Sequence, residues 1–149
     1  MHDPRPVVLQ HPREGVDGLM LLPHQAAAVP LARRVLTREL RQGDTPQDAV
    51  DEVAVVVSEL LGNAVRHAAP LGSGDLLLRW RVTSSAVEVE VVDGGGGAVR
   101  TPQADDEAVS GRGMHIVSTI ADAWGTSDDG HGQRAVWASV GTTPSPAGV

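Results

Sequence analysis

The stretch VSELLGNAVRHA, residues 57–68, decides how this chain reads. It continues an apolar repeat through Val50, Val53, Ala54, Val57, Leu60, Leu61, Ala64, Val65 and Ala68. Intervals of three and four residues over that length predict one long amphipathic helix. Thr45-Pro46-Gln47-Asp48 supplies its start, with a capping hydroxyl, a proline suited to the first turn and an acid three residues after the threonine. Pro70 supplies its stop. Gly62 in the interior costs about 1 kcal/mol against alanine, so a closely packed neighbour is expected there. Glu59 and Asn63 stand one turn apart, which aims both side chains at one spot. Val55, Val56 and Gly62 border them, and the helix is expected to be covered on that face as well. A buried carboxylate needs a partner or a ligand. The alternative is a polar face against solvent, closed by Arg66 or His67.

Outward from this helix the pattern is mixed. Gly18–Pro23 reads as a short strand, and Val29–Arg41 as a helix with Pro30 in its first turn, an apolar stripe of Leu31, Val35, Leu36 and Leu40, and Gly43 as its stop. In LLLRWRV (76–82) and AVEVEVVD (86–93), apolar residues alternate with arginine and glutamate, as in antiparallel strands with one buried face. Ser84-Ser85 joins them. Met114–Asp122 reads as a short helix, and Trp124–Ser127 with Arg134–Val140 as a closing strand pair turned at Asp129-Gly130. These elements predict an α+β fold: a two-layer sandwich, its mixed, mostly antiparallel sheet covered on one face by about three helices. Residues 16–141 form the expected domain, with 1–15 and 142–149 as unpatterned tails.

Composition narrows the chemistry. The chain has 149 residues, 41% of them hydrophobic, which suits one domain with a real core. A net charge of −7 argues against a nucleic-acid surface. No run of 18 apolar residues occurs, so no membrane span is expected, and the N-terminus lacks the order of a secretory signal. A cytoplasmic protein is the default expectation. Zero cysteine removes thiol catalysis, disulfides and cysteine-based zinc sites. All twelve basic residues are arginine, which excludes a P-loop and the lysine-dependent protein-kinase site.

Two further segments carry chemistry. The strand ending at Asp93 runs into Gly94-Gly95-Gly96-Gly97, too many glycines for an ordinary hairpin. An acid at a strand end can accept a hydrogen bond from an exocyclic amine, and glycines let a flat ring approach the backbone. A plain Asp-Gly turn is the alternative. Gly111-Arg112-Gly113 opens the next helix, where exposed N–H groups and the helix dipole suit phosphate oxygens. A flexible loop ending in a helix is the alternative there. Neither His67 nor His115 has metal-site spacing; His115 reads as a packed or half-exposed residue.

Glu59-x-x-x-Asn63-Ala64, Asp93-x-Gly95-x-Gly97 and Gly111-Arg112-Gly113, in that order, resemble the N, G1 and G2 boxes of the GHKL ATPases, whose nucleotide-binding fold is of the Bergerat type. The closest resemblance is to the small anti-sigma-factor and serine-protein-kinase members of actinobacteria and bacilli. It rests on Ser58-Glu59-Leu60, the run Asn63–Ala68, the short lid and a final strand ending near Val136-Trp137-Ala138, and spans roughly residues 20–140. The resemblance implies ATP and Mg²⁺ as cofactors. Asn63 would hold the Mg²⁺, Glu59 would be the general base, Asp93 would bond the adenine amine with Gly95 and Gly97 lining the base pocket, residues 98–110 would form the lid, and Gly111, Arg112 and Gly113 would wrap the phosphates. Relatives carry a Lys-Thr pair where this chain has Arg134-Ala135, and a threonine at position 62. Loss of the threonine hydroxyl would remove one hydrogen bond to the adenine, about 1 kcal/mol.

The activity so implied is transfer of phosphate to a serine of an anti-anti-sigma protein of the STAS type, with sequestration of a sigma factor as the second partner interaction. Homodimerisation is a further implication. A non-catalytic module on the same fold, holding ATP or only docking partners, is the alternative. A sensor histidine kinase's catalytic domain fits less well, because the roughly 15 residues before the fold are too few for a dimerisation hairpin.

Overall fold

The computed structural model describes residues 7–9, 17–96 and 109–142, with side chains described for 17–96 and 114–142. The elements run β1 (Val7–Leu9), β2 (Gly18–Pro23), α1 (Ala28–Gln42), α2 (Gln47–His67), β3 (Asp75–Val82), β4 (Ala86–Asp93), α3 (Val109–Ile120), β5 (Ala123–Asp128) and β6 (Arg134–Gly141). The six strands form one sheet in the order β1-β2-β3-β4-β6-β5. Every pairing among the described residues is antiparallel, where a mixed sheet was expected. The two-layer α+β sandwich with three helices is otherwise as the patterning predicts.

Alternation decides which face is buried. Met20 and Leu22 of β2, Leu76, Leu78 and Trp80 of β3, Val87, Val89 and Val91 of β4, and Val136, Ala138 and Val140 of β6 all point to the helices. Gly18 belongs to this side because it lies opposite Trp80, and a Cβ there would fall 2.0 Å from the indole. The opposite face carries Arg79, Arg81, Glu88, Glu90 and Trp137. Arg79 pairs with Glu90 and Arg81 with Glu88 across the β3–β4 ladder, the latter at 2.6 Å. With Trp80 and Val89 beneath, these five residues line a depression of about 260 Å³.

Helix α2 is the central element of the helical layer, packed between α1 and α3 and against β4 and β6. Val50, Val53, Val56, Val57, Leu60 and Leu61 are each at most 2% exposed, which explains why the apolar repeat is so dense. On α1 the buried line is Ala28, Ala32, Leu36 and Leu40, spaced by four; Leu31 and Val35 are only half-buried. His24, just past β2, fixes the C-terminal end of α2. Its Nε2–H donates to the carbonyls of Ala64 (3.0 Å) and Ala68 (2.8 Å), so two acceptors determine the tautomer.

Four sequence expectations change. Val7–Leu9, inside the stretch read as a tail, pairs with Leu21–Leu19 of β2 as the edge strand. Thr45 does not cap α2: the helix begins at Gln47 with Pro46 extended before it, and Thr45 Oγ1 is buried without a partner among the described residues. Val55 is 41% exposed, so the Glu59–Asn63 side of α2 is open there rather than covered. His115 is exposed, so the packed alternative falls and the half-exposed one is left. Among the described residues no helix is long and apolar enough to cross a membrane.

Candidate functional site

Glu59 and Asn63 lie on α2 one turn apart, both half-buried. Glu59 has no hydrogen bond or ion pair among the described residues. Asn63 Oδ1 accepts a hydrogen bond from Arg66 Nη2 at 3.2 Å. Gly62 makes that contact easy. A Cβ at position 62 would sit 3.3 Å from Arg66 Nη1, so the expected close neighbour is the guanidinium of the same helix, folded back one turn.

Asp93 ends β4 and is 1% exposed, one of two buried polar residues among those described. Its Oδ1 accepts the Gly95 N–H at 2.7 Å, and its Oδ2 faces Arg134 Nη2 at 3.5 Å. Burial pushes the Asp93 carboxyl above its ordinary value, while the Gly95 N–H, the Arg134 guanidinium and His24 pull the other way without cancelling the shift. The glycines that follow are tightly held. Gly94 N–H donates to Ala69 O (2.8 Å) and Ala69 N–H to Gly95 O (2.9 Å), joining this loop to the segment just past α2. A Cβ on Gly94 would lie 2.1 Å from Pro70 O, and Gly95, at φ +73°, would bring one within 2.8 Å of Gly132 O.

Asp93 and Gly95 therefore sit beside the segment just past the C-terminal end of α2, an end that lies about 6 Å along the axis from Asn63 at 1.5 Å per residue. Helix α3 packs along the same α2. It begins at Val109, not after Gly113, so Gly111, Arg112 and Gly113 lie in its first turns instead of in a loop before it. With the helix starting at Val109, the N–H of Gly111 is among those left without an intrahelical acceptor, whereas those of Arg112 and Gly113 fall beyond the unpaired start, so the expected cradle is reduced at these two residues. Gly97 and residues 98–108 of the expected 98–110 lid lie outside the described residues, as does the side chain of Arg112, while Val109 and Ser110, also read as lid, are the start of α3. Helix α2 thus carries the first motif, leads into the segment that bonds the second, and packs against the helix that contains the third.

The β4–β6 register revises one expectation about the base pocket. Asp93 lies opposite Arg134, and Val92 opposite Ala135. Alternation places Arg134 with Val136 on the helix-facing side and Ala135 with Val92 on the other. Ala135 lines a small cavity there with Arg79, Val92 and Ser127, and Arg134 at the end of β6 also borders it. The residue beside the Asp93 carboxylate is Arg134, whose side chain is 13% exposed. Sequence reasoning did not select Arg134 or His24, because both act through partners 40 to 44 residues away.

Among the described residues no group of three His, Cys, Asp or Glu could hold a metal ion. The site fits a nucleotide in one respect. Asp93 offers a buried acceptor at a strand end flanked by glycines.

A family model described as histidine kinase-like ATPase domain matches residues 22–139. The match takes in α2, Asp93 with its glycines, all of α3, β5 and β6 as far as Ser139, and the chain belongs to that family of ATPase domains, the GHKL type. No curated protein matches the chain.

Proposed function

We propose that the protein binds Mg²⁺-ATP and phosphorylates a serine of an anti-anti-sigma protein of the STAS type, sequestering a sigma factor when that antagonist does not compete, in the cytoplasm. The observation that carries the reading is the pair Glu59 and Asn63, one turn apart on the helix that α3 packs along and whose following segment bonds the loop after Asp93. Membership of the family supports the nucleotide; the subfamily resemblance supports the partners.

In this mechanism the chain positions and neutralises more than it bonds covalently. Bound ATP supplies the γ-phosphoryl group, and its Mg²⁺ offsets the phosphate charge. Asn63 offers a side-chain oxygen to the cation. Asp93 accepts from the amine of the base, with Gly95 and Gly97 against the ring. The unpaired N–H groups at the start of α3, that of Gly111 among them, face phosphate oxygens. Glu59 takes the proton of the serine hydroxyl as the oxygen–phosphorus bond forms and the bond to the ADP leaving group breaks. An acceptor with no competing partner among the described residues suits that role.

The test is incubation with γ-labelled ATP, Mg²⁺ and candidate antagonist proteins. Label should reach a serine of the antagonist, and Glu59→Ala should abolish transfer while ATP still binds. Transfer unchanged in that variant would remove the assigned base. A non-catalytic module is the second reading, favoured by the engagement of both Asp93 oxygens within the chain. It requires partner binding without any label transfer.

A further inference from the structure

We propose that Arg134 is a base-reading residue: its guanidinium supplies the donor for the ring nitrogen beside the exocyclic amine that Asp93 accepts. The inference rests on the reading of this pocket as a purine-nucleotide site and names how the base edge is recognised.

Three observations carry it. First, Asp93 and Arg134 are direct cross-strand partners at the end of β4 and β6, on the side facing the helices, so whatever meets one carboxylate edge meets the guanidinium beside it. Second, both side chains are largely buried, at 1% and 13% exposure, and one Asp93 oxygen is already fixed by the Gly95 N–H. Arg134 thereby holds the remaining oxygen in place, and a buried carboxylate keeps its acceptor character only with such a partner. Third, the neighbouring position that might have carried a hydroxyl is Ala135, which has no polar group and faces the other side of the sheet.

The chemistry follows from the donor inventory. Ionised aspartate only accepts and arginine only donates, through a rigid planar fork of five N–H groups. The pair offers acceptor and donor side by side. Adenine presents the complement, an amine donor next to the ring acceptor N1. Guanine presents the same two functions in reverse order, so the fixed position of Asp93 against Gly95 sets which base fits.

Calorimetry with ATP and with 1-deaza-ATP, in which N1 is replaced by C–H, tests this on the wild-type protein without any mutation. The expected result is about tenfold weaker binding of 1-deaza-ATP, the effect of one charge-assisted hydrogen bond. Arg134→Met should bind ATP about as weakly as the wild type binds 1-deaza-ATP, and should no longer tell the two apart; Arg134→Lys should restore part of the difference. Equal affinities in the wild type, undiminished discrimination in Arg134→Met, or a preference for GTP over ATP would each overturn the assignment. Failure of ATP itself to bind removes the nucleotide-site reading and this inference with it. Binding of ATP without discrimination removes this inference alone.

Discussion

Arg66 Nη2 donates to Asn63 Oδ1 at 3.2 Å, so the oxygen assigned to the cation is already engaged by a guanidinium from the next turn of α2. A cation must displace that contact to reach the oxygen. Arg66→Met is expected to lower the Mg²⁺ concentration needed for half-maximal ATP binding by about fivefold, the effect of one hydrogen bond of about 1 kcal/mol. Calorimetric titrations over a Mg²⁺ series measure it. A rise instead of a fall would mean that Arg66 serves the phosphates.

The loop after β4 has no room for side chains at Gly94. A methyl group there would meet the backbone carbonyl of Pro70 at 2.1 Å, and backbone cannot rotate aside as a flexible side chain can. Gly94→Ala should cost about 1–3 kcal/mol in urea unfolding, the range for overpacking. Gly72 has nothing within 4 Å and serves as the contrast. Gly72→Ala should be neutral or stabilising by less than about 1 kcal/mol, through a less flexible unfolded chain.

Thr45 keeps a buried hydroxyl with no partner among the described residues. Leaving such a group unsatisfied costs about 1–3 kcal/mol. Thr45→Val, nearly the same shape, should therefore raise the unfolding free energy by about 1 kcal/mol. A loss of similar size would mean that the hydroxyl is satisfied after all.

Asp93 makes stability depend on pH in a direction opposite to most aspartates. Its folded value lies above the ordinary 3.8 because burial disfavours the charge, so the native state holds the proton more tightly than the unfolded chain. This contribution is fully present below 3.8 and is lost as pH rises through the raised folded value. Asp93→Asn removes that proton linkage. Denaturant unfolding of both proteins across this acidic window should show the wild type losing stability relative to the variant as pH rises. Parallel profiles would contradict it.

Much of the fold was legible in the sequence because its signals are local. The repeat through Ala68 located α2 to within a residue of its end, and alternation around Trp80 and Val89 located β3 and β4. The start of α3 was not legible: Gly111 and Gly113 are poor helix formers, and packing on α2 outweighs that preference. Val7–Leu9 is too short to show a period, and its pairing with β2 exists only in three dimensions. The site divides in the same way. Asp93 could be picked out as an acid before glycines, whereas Arg134 beside it depends on a register between strands that no local pattern contains.

The chain contains no tyrosine or phenylalanine, so its near-ultraviolet emission comes entirely from three tryptophans. Trp80 is sealed in the core and Trp124 packs against it, while Trp137 lies half-buried on the uncovered sheet face, its indole about 3 Å from where a Cβ on Gly125 would stand. A protein that settled on the depression beside Trp137 would therefore announce itself as a colour shift of an intrinsic reporter. Docking on the α1 side of the helical layer would leave that reporter dark to the event, so a single label-free spectrum separates the two modes of association.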